Sequence, residues 1–293
     1  MKGTGVPLVT PFDRAGRVDE SNLRAVASWV VDRGVDFVVP CGSNGESELL
    51  TVDERATVVE VVADEVPVPV LAGTGHPGFE ETREQTRRAV AAGADAALVV
   101  TPFYFTHDQS ALQSFYERLA SESDCPIYLY SVPSKTDVAL HPETVESLAA
   151  HDNIAGMKDS AGDMVAFGRE RRLAGPDFEL FMGSGSLFAT ALDAGADGGV
   201  MALANVVPAV AAEIHERHAD GDQRGARELC STVVELNEAI TARYGVPGVK
   251  AAMRYRDVPA GQVRSPHRPL DEDAAAEVRS LVDGVLENDA VER

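Results

Sequence analysis

A lysine is the last residue of one apolar run of this chain, where a charged side chain is unexpected. Lys158 ends the run 154–158 in a sequence that contains only four lysines. Burial strips water from an ammonium group, which lowers its pKa and supplies the neutral amine that attacks a carbonyl carbon. A buried ion pair with Asp159 or a glutamate is the alternative. The position of Lys158 therefore predicts either imine chemistry or a structural ion pair.

Polar residues also follow three other apolar runs. Tyr130 ends the run 126–130, where a phenol can relay a proton or simply bond a carbonyl. The segments 42–45 and 183–185 are rich in glycine, serine and asparagine. Such loops offer backbone N–H groups to a carboxylate, but they are also ordinary turns. Taken singly, neither Tyr130 nor either loop distinguishes an active site from ordinary barrel structure.

Eight continuous apolar runs must position these residues. Continuous runs indicate strands that are buried on both faces, as in a parallel sheet. Helical segments lie between them, and a Thr51–Glu54 capping box opens a helix that is predicted to reach Glu65. The runs are 6–9, 37–40, 68–72, 96–100, 126–130, 154–158, 178–182 and 198–202.

This alternation predicts an α/β fold, and eight units favour a closed (β/α)8 TIM barrel over an open sheet. No GxGxxG follows the first run, which weakens a dinucleotide-binding alternative. We predict a single domain over 1–293, with a barrel core at 1–208 and additional C-terminal helices at 209–293 packed on it. In such barrels the active site lies at the carboxyl ends of the strands, so Lys158, Tyr130 and the polar loops should converge.

The charge is strongly acidic, with 47 acidic residues against 26 basic ones and a net charge of −21. Such a surface repels phosphate backbones, so nucleic-acid binding is not expected. Few lysines and many acids predict a surface adapted to high salt, where screening relieves self-repulsion.

Metal sites, disulfides and membrane spans are not expected. The three cysteines, Cys41, Cys125 and Cys230, are far apart and form no CxxC or Cys/His cluster. No apolar run is long enough to cross a bilayer, and the N-terminus lacks the apolar region of a signal peptide. We therefore expect a cytoplasmic protein with no metal and no cofactor.

Six motifs in this order resemble the N-acetylneuraminate lyase and dihydrodipicolinate synthase family of Schiff-base aldolases. Each motif is weak by itself, but their order and their positions at strand ends are specific. The resemblance covers nearly the whole chain. The motifs lie at residues 5–12, 42–46, 101–104, 130–133, 156–160 and 247–252.

The resemblance implies roles for the residues at these positions. Lys158 matches the imine-forming lysine, and Tyr130 matches the tyrosine that shuttles protons. Ser43 matches the hydroxyl residue that links this tyrosine to a second one, here Tyr104, which in the family reaches into a neighbouring subunit. A homotetramer is therefore expected. Substrate binding by the following residues is implied: Gly42, Ser43, Asn44, Lys135, Gly183 and Ser184.

The expected substrate is a small 2-oxo acid. Lys135 replaces the arginine with which dihydrodipicolinate synthases hold the aldehyde carboxylate, and the segment 103–105 looks like that of the sugar-acid aldolases. We therefore predict cleavage of 2-keto-3-deoxygluconate, or its 6-phosphate, to pyruvate and glyceraldehyde or its 3-phosphate. The alternatives are a 4-hydroxy-tetrahydrodipicolinate synthase that condenses pyruvate with aspartate semialdehyde, and a keto-deoxy sugar acid dehydratase. A non-catalytic binding relative would have lost Lys158 or Tyr130, and neither is lost.

Overall fold

Eight parallel strands form the centre of the molecule, and the computed structural model describes residues 1–287 of the 293-residue chain. Each strand pairs with its neighbours in chain order, and β8 returns to pair with β1. A bridge between Val38 and Val70 joins β2 to the chain just before β3. This ring confirms the predicted (β/α)8 barrel. The strands are β1 (Gly3–Val6), β2 (Phe37–Val38), β3 (Leu71–Gly73), β4 (Ala96–Val100), β5 (Ile127–Ser131), β6 (Ile154–Asp159), β7 (Glu179–Met182) and β8 (Gly198–Val200).

The first strand begins earlier than its apolar run predicts, because two glycines carry the pairing. A Cβ on Gly3 would lie 2.0 Å from the Asp36 carboxylate, and one on Gly5 would lie 2.4 Å from the Phe37 ring. Only a residue without a side chain fits at these two positions, and glycine gives no apolar signal. The prediction of a strand at 6–9 was therefore wrong by three residues.

Helices cover the outside of the barrel. The predicted capping box at the start of α2 is present, with the Glu54 N–H donating to Thr51 Oγ1 at 3.2 Å and the Thr51 N–H donating to the Glu54 carboxylate at 2.9 Å. The helices as far as β8 are α1 (Glu20–Val31), α2 (Val52–Glu65), α3 (Phe79–Ala91), α4 (Gln109–Ser121), α5 (Pro133–Thr136), α6 (Pro142–Ala149), α7 (Met164–Ala174) and α8 (Phe188–Asp193).

The chain after β8 continues the outer layer and then crosses the barrel mouth. The helix α9 (Pro208–Ala219) packs on β1, where Thr4 Oγ1 donates to the Ala211 carbonyl at 3.3 Å. This contact places α9 in the outer layer of helices. The later helices are α10 (Gln223–Thr232), α11 (Val234–Glu238), a π-helical turn (Ala239–Arg243), α12 (Gly245–Tyr255) and α13 (Glu272–Leu286).

Two apolar layers hold the barrel together. One fills its interior, where Phe37 and Phe181 meet with ring centroids 5.3 Å apart and Tyr130 packs nearby. The larger layer lies between the strands and the helices and contains the three cysteines, which are buried free thiols. No helix within residues 1–287 is long and apolar enough to cross a membrane.

Candidate active site

Lys158 and Tyr130 lie side by side at the carboxyl end of the barrel. Tyr130 of β5 is in register with Lys158 of β6, and Lys158 Nζ lies 4.4 Å from the centre of the Tyr130 ring. Lys158 is 6% exposed and Tyr130 is 7% exposed. Lys158 makes no ion pair with any residue of 1–287, so the structural ion pair that the sequence left open is absent from the part described. Alternation along β6 sends the Asp159 side chain to the opposite face of the strand.

Behind Lys158, two buried acids share the layer between strand and helix. Asp159 accepts a hydrogen bond from the Ala161 N–H at 2.7 Å through one oxygen, and its other oxygen has no partner within residues 1–287. Glu170 of α7 also has a buried oxygen without a partner among those residues. Burial raises the pKa of Asp159 to about 6, and burial together with repulsion from Asp159 raises the pKa of Glu170 to about 8. Glu170 is therefore protonated at neutral pH.

A cavity of about 970 Å³ opens at the carboxyl ends of the strands, in front of Lys158. This volume exceeds what pyruvate alone requires and leaves room for a longer oxo acid. Eight of the nine site residues predicted from the sequence line it. They are Gly42, Ser43, Asn44, Tyr130, Lys135, Lys158, Gly183 and Ser184.

Tyr104 is the ninth predicted residue, and it lies outside this cavity. Its side chain is 88% exposed and meets the 65% exposed Phe105 edge to face, with ring centroids 5.0 Å apart. Its φ of 78° is left-handed, a region that costs a residue with a side chain free energy. Its neighbour Phe103 does line the cavity. Tyr104 is thus directed away from the site of its own chain.

The loop after β2 presents unused donors to the cavity. It folds as a short 3₁₀ turn, Ser43–Gly45, in which the Gly45 N–H donates to the Gly42 carbonyl at 3.0 Å. The N–H groups of Ser43 and Asn44 have no acceptor within residues 1–287. Two adjacent free N–H groups form a site suited to a carboxylate.

Glu46 fixes this loop from behind. Its φ of 56° is left-handed, and its carboxylate is buried. Oε1 accepts from Lys250 Nζ at 2.6 Å, while Oε2 accepts from the Arg264 N–H at 2.9 Å and lies 3.0 Å from His267 Nδ1. Burial lowers the pKa of Lys250 to about 8, against the opposing attraction of Glu46, so the ammonium stays charged at neutral pH. One carboxylate thereby joins the loop to the C-terminal segment.

The charges that remain unpaired in the cavity are positive. Lys135, Lys158 and Arg268 line it without a carboxylate partner among residues 1–287. The two acids of the lining, Glu46 and Glu48, are both held by basic side chains that lie outside the lining. A chain with a net charge of −21 therefore presents a cationic cavity, which favours anionic substrates.

Sequence reasoning missed the residues that the C-terminal segment brings to the cavity. Asn237, Tyr244, His267 and Arg268 all line it, and Asn237 Nδ2 donates to Ser186 Oγ at 2.8 Å. The adjacent histidine and arginine are visible in the sequence as a basic pair in an acidic chain. No local pattern links that pair to the barrel mouth, so only the folded chain shows its position.

The fold and the cavity together define a class. A (β/α)8 barrel has the arrangement of the Schiff-base aldolases and lyases when a buried lysine lies beside a tyrosine and a loop with free N–H groups, and within residues 1–287 this lysine makes no ion pair. The model of the dihydrodipicolinate synthetase family matches residues 1–284. The chain belongs to this family, whose members are lyases and aldolases that use a Schiff-base lysine, and it is an enzyme of that type.

Individual relatives agree with this assignment. The chain is 42% identical over 278 residues to an uncharacterized DapA-like lyase of Halobacterium salinarum, covering 94% of this chain and 91% of the relative. It is 36% identical to the 4-hydroxy-tetrahydrodipicolinate synthase of Methanothrix thermoacetophila, covering 96% of each.

Solved structures show the same architecture. The dihydrodipicolinate synthase of Thermotoga maritima has a TM-score of 0.94 at 28% identity, with 97% of this chain and 98% of that chain covered. YagE, a prophage protein of the dihydrodipicolinic acid synthase family from E. coli K12, was solved in complex with pyruvate. It has a TM-score of 0.93 at 28% identity and covers 98% of this chain and 99% of its own.

Proposed function

We propose that this enzyme cleaves 2-keto-3-deoxygluconate, or its 6-phosphate, to pyruvate and glyceraldehyde or its 3-phosphate. One observation carries the proposal: Lys158 is buried at a strand end inside the cavity, beside Tyr130, with no acid of residues 1–287 to hold it. The amine of a lysine in this position is the nucleophile that a keto carbon requires for imine formation.

The chemistry begins at Lys158. Its Nζ adds to the keto carbon, and the carbinolamine loses water to give a protonated imine. Tyr130 delivers and removes the protons of these steps and accepts the proton of the C4 hydroxyl. The electron pair of the breaking C3–C4 bond moves toward C3 and into the imine, so the aldehyde leaves and an enamine remains. Protonation at C3 and hydrolysis then release pyruvate and free Lys158.

The remaining predicted residues hold the substrate. The free N–H groups of Ser43 and Asn44 are suited to the carboxylate next to the keto carbon, and Gly183 and Ser184 lie on the same cavity wall. Tyr104 serves a neighbouring subunit in a homotetramer, where it completes the proton relay through Ser43. Its 88% exposure in the single chain supports this role.

Lys135 supports a sugar acid over aspartate semialdehyde as the substrate. An ammonium attracts a carboxylate but cannot form the two parallel hydrogen bonds of a guanidinium. Lys135 therefore binds the carboxylate of aspartate semialdehyde more weakly than an arginine would. The rival function is that of a 4-hydroxy-tetrahydrodipicolinate synthase, and it is supported by the similarity to the Methanothrix enzyme of that name. Both functions use the same imine with pyruvate, and the pyruvate complex of YagE supports that shared step.

Borohydride trapping tests the shared step. Protein incubated with pyruvate and borohydride in high salt should gain one reduced adduct, which peptide mass spectrometry places on Lys158. Lys158→Ala and Lys158→Arg should both lose the adduct and nearly all turnover, because arginine stays protonated. Lys135→Arg is the matched control and should still be trapped on Lys158. An adduct on another lysine, or no adduct in active protein, would refute the proposed chemistry.

Substrate comparison tests the finer assignment. Pyruvate release from the sugar acid and its 6-phosphate is measured beside the condensation of pyruvate with aspartate semialdehyde. Losing an oriented partner for the semialdehyde carboxylate predicts roughly a hundredfold lower kcat/KM in the condensation. Equal or better use of aspartate semialdehyde would replace the aldolase proposal with the synthase.

A further inference from the structure

Most lysine and arginine side chains of this acidic chain are engaged by acids or carbonyls. Within residues 1–287, five make no hydrogen bond or ion pair: Arg14, Lys135, Lys158, Arg172 and Arg268. Three of these five line the same cavity. In a chain with a net charge of −21, acidic partners are plentiful, so this concentration of unpaired cations points to an anion that comes from outside.

The backbone that carries Arg268 is firmly held. Four positions before it, the Arg264 guanidinium donates to the Leu49 carbonyl at 2.7 Å and to the Glu54 carboxylate at 2.8 Å. The adjacent His267 lies with Nδ1 3.0 Å from the buried Glu46 carboxylate. The backbone that leads to Arg268 is therefore held, while its guanidinium makes no hydrogen bond or ion pair within residues 1–287.

The other cations and donors of the cavity already have tasks in the proposed reaction. Lys158 attacks the keto carbon, and the N–H groups of Ser43 and Asn44 bind the neighbouring carboxylate. Arg268 belongs to the C-terminal segment that crosses the barrel mouth, not to the strand ends that carry Lys158 and Tyr130. This leaves Arg268 for a group of the substrate other than the keto carbon and its carboxylate.

We propose that Arg268, with Lys135, binds an oxyanion at the far end of the oxo acid and so selects substrates with a second anionic group. This inference rests on the proposed function and specifies its substrate class. A guanidinium binds phosphate or carboxylate oxygens through two parallel hydrogen bonds, whereas Lys135 contributes charge without a fixed angle. The 6-phosphate of the sugar acid carries such a group, and the unphosphorylated sugar acid does not.

The test compares selectivity between matched substrates at constant high salt. Arg268→Gln should lower the ratio of kcat/KM for the 6-phosphate over that for the unphosphorylated sugar acid by about tenfold to a hundredfold, mainly through KM. Arg268→Lys should fall between, because it keeps the charge and loses the fork. Arg14→Gln removes the same charge from an exposed side chain outside the cavity and should leave the ratio unchanged.

The possible results distinguish a failure of the role proposed for Arg268 from a failure of the proposed function. A fall in the 6-phosphate ratio supports a phosphate ligand, and a selective loss with aspartate semialdehyde supports a carboxylate ligand. Equal losses on every substrate, or no loss on any, would overturn the role of Arg268. If wild-type protein is not trapped by borohydride on Lys158, the proposed function itself has failed. Trapping without any selective effect of Arg268→Gln refutes the selectivity role alone.

Discussion

Replacing Lys250 with methionine is expected to destabilise the fold by about 4 kcal/mol. Both partners of the Lys250–Glu46 ion pair have side chains that are 0% exposed. The ammonium donates to Glu46 at 2.6 Å and to the carbonyls of Thr10 and Gln262 at 2.7 Å each. Methionine has a similar length and no donor, so it removes all three bonds while filling most of the space.

The magnitude follows from what Lys250→Met leaves behind. Removing one partner of a buried ion pair costs about 3–5 kcal/mol, because the other charge stays buried without compensation. Each carbonyl that loses its donor adds to this, by about 1 kcal/mol. Glu46 retains the Arg264 N–H and the His267 ring as neighbours, which offsets part of the loss. The expected loss in the free energy of unfolding is therefore about 4 kcal/mol, the middle of the range for a broken buried ion pair.

Urea unfolding at fixed salt, fixed protein concentration and neutral pH measures the effect. Lys2→Met is the matched control, since the Lys2 side chain is 75% exposed and its ion pair with Asp197 spans 3.6 Å. It should change the free energy of unfolding by less than about 1 kcal/mol. The double variant Lys250→Met with Glu46→Gln removes the orphaned charge and should recover about 2 kcal/mol.

Pyruvate binding provides a second measurement on the same variants. Glu46 fixes the loop that presents the Ser43 and Asn44 N–H groups, so Lys250→Met should raise the concentration of pyruvate needed for half-maximal trapping. Lys2→Met should leave it unchanged. An unfolding free energy within about 1 kcal/mol of wild type would refute the reasoning. So would a double variant no more stable than Lys250→Met alone.

Three further predictions concern pH, salt and assembly. The folded-state pKa of Glu170, about 8, exceeds its ordinary value of 4.5, so its protonated form stabilises the fold below pH 4.5 and that contribution is lost as pH rises through 8. Relative to Glu170→Gln, wild-type protein should lose about 5 kcal/mol across that window, and a pH-independent difference in unfolding free energy would count against it. The melting temperature should rise with KCl, because the Debye length shrinks from about 10 Å at 0.1 M to about 3 Å at 1 M and screens the net charge of −21; equal melting temperatures would contradict this. Tyr104→Phe should lower kcat by about tenfold or more without changing the mass in light scattering, whereas full activity, or a fully active wild-type monomer, would exclude a relay between subunits.

The sequence by itself determined the barrel and the centre of its cavity. Continuous apolar runs require strands that are covered on both faces, and eight of them alternating with helices leave few arrangements. Parallel strands bring their carboxyl ends to one side, so Lys158 and Tyr130 had to meet there once each was placed at the end of a run. The glycine-rich first strand was displaced by three residues, because glycine carries no hydrophobic signal, and β3 begins at Leu71, three residues after the start of its apolar run.

The tertiary structure decided which residues surround that centre. Lys250 reaches Glu46 across 204 positions of sequence, and His267 reaches it across 221. The position of Arg268 at the mouth and the proximity of Asp159 to Glu170 likewise depend on how helices and loops pack. Local periodicity records which face of an element is buried, but not which distant segment covers it. Such contacts form only when the closed barrel brings remote parts of the chain together, and they are therefore a property of the folded molecule.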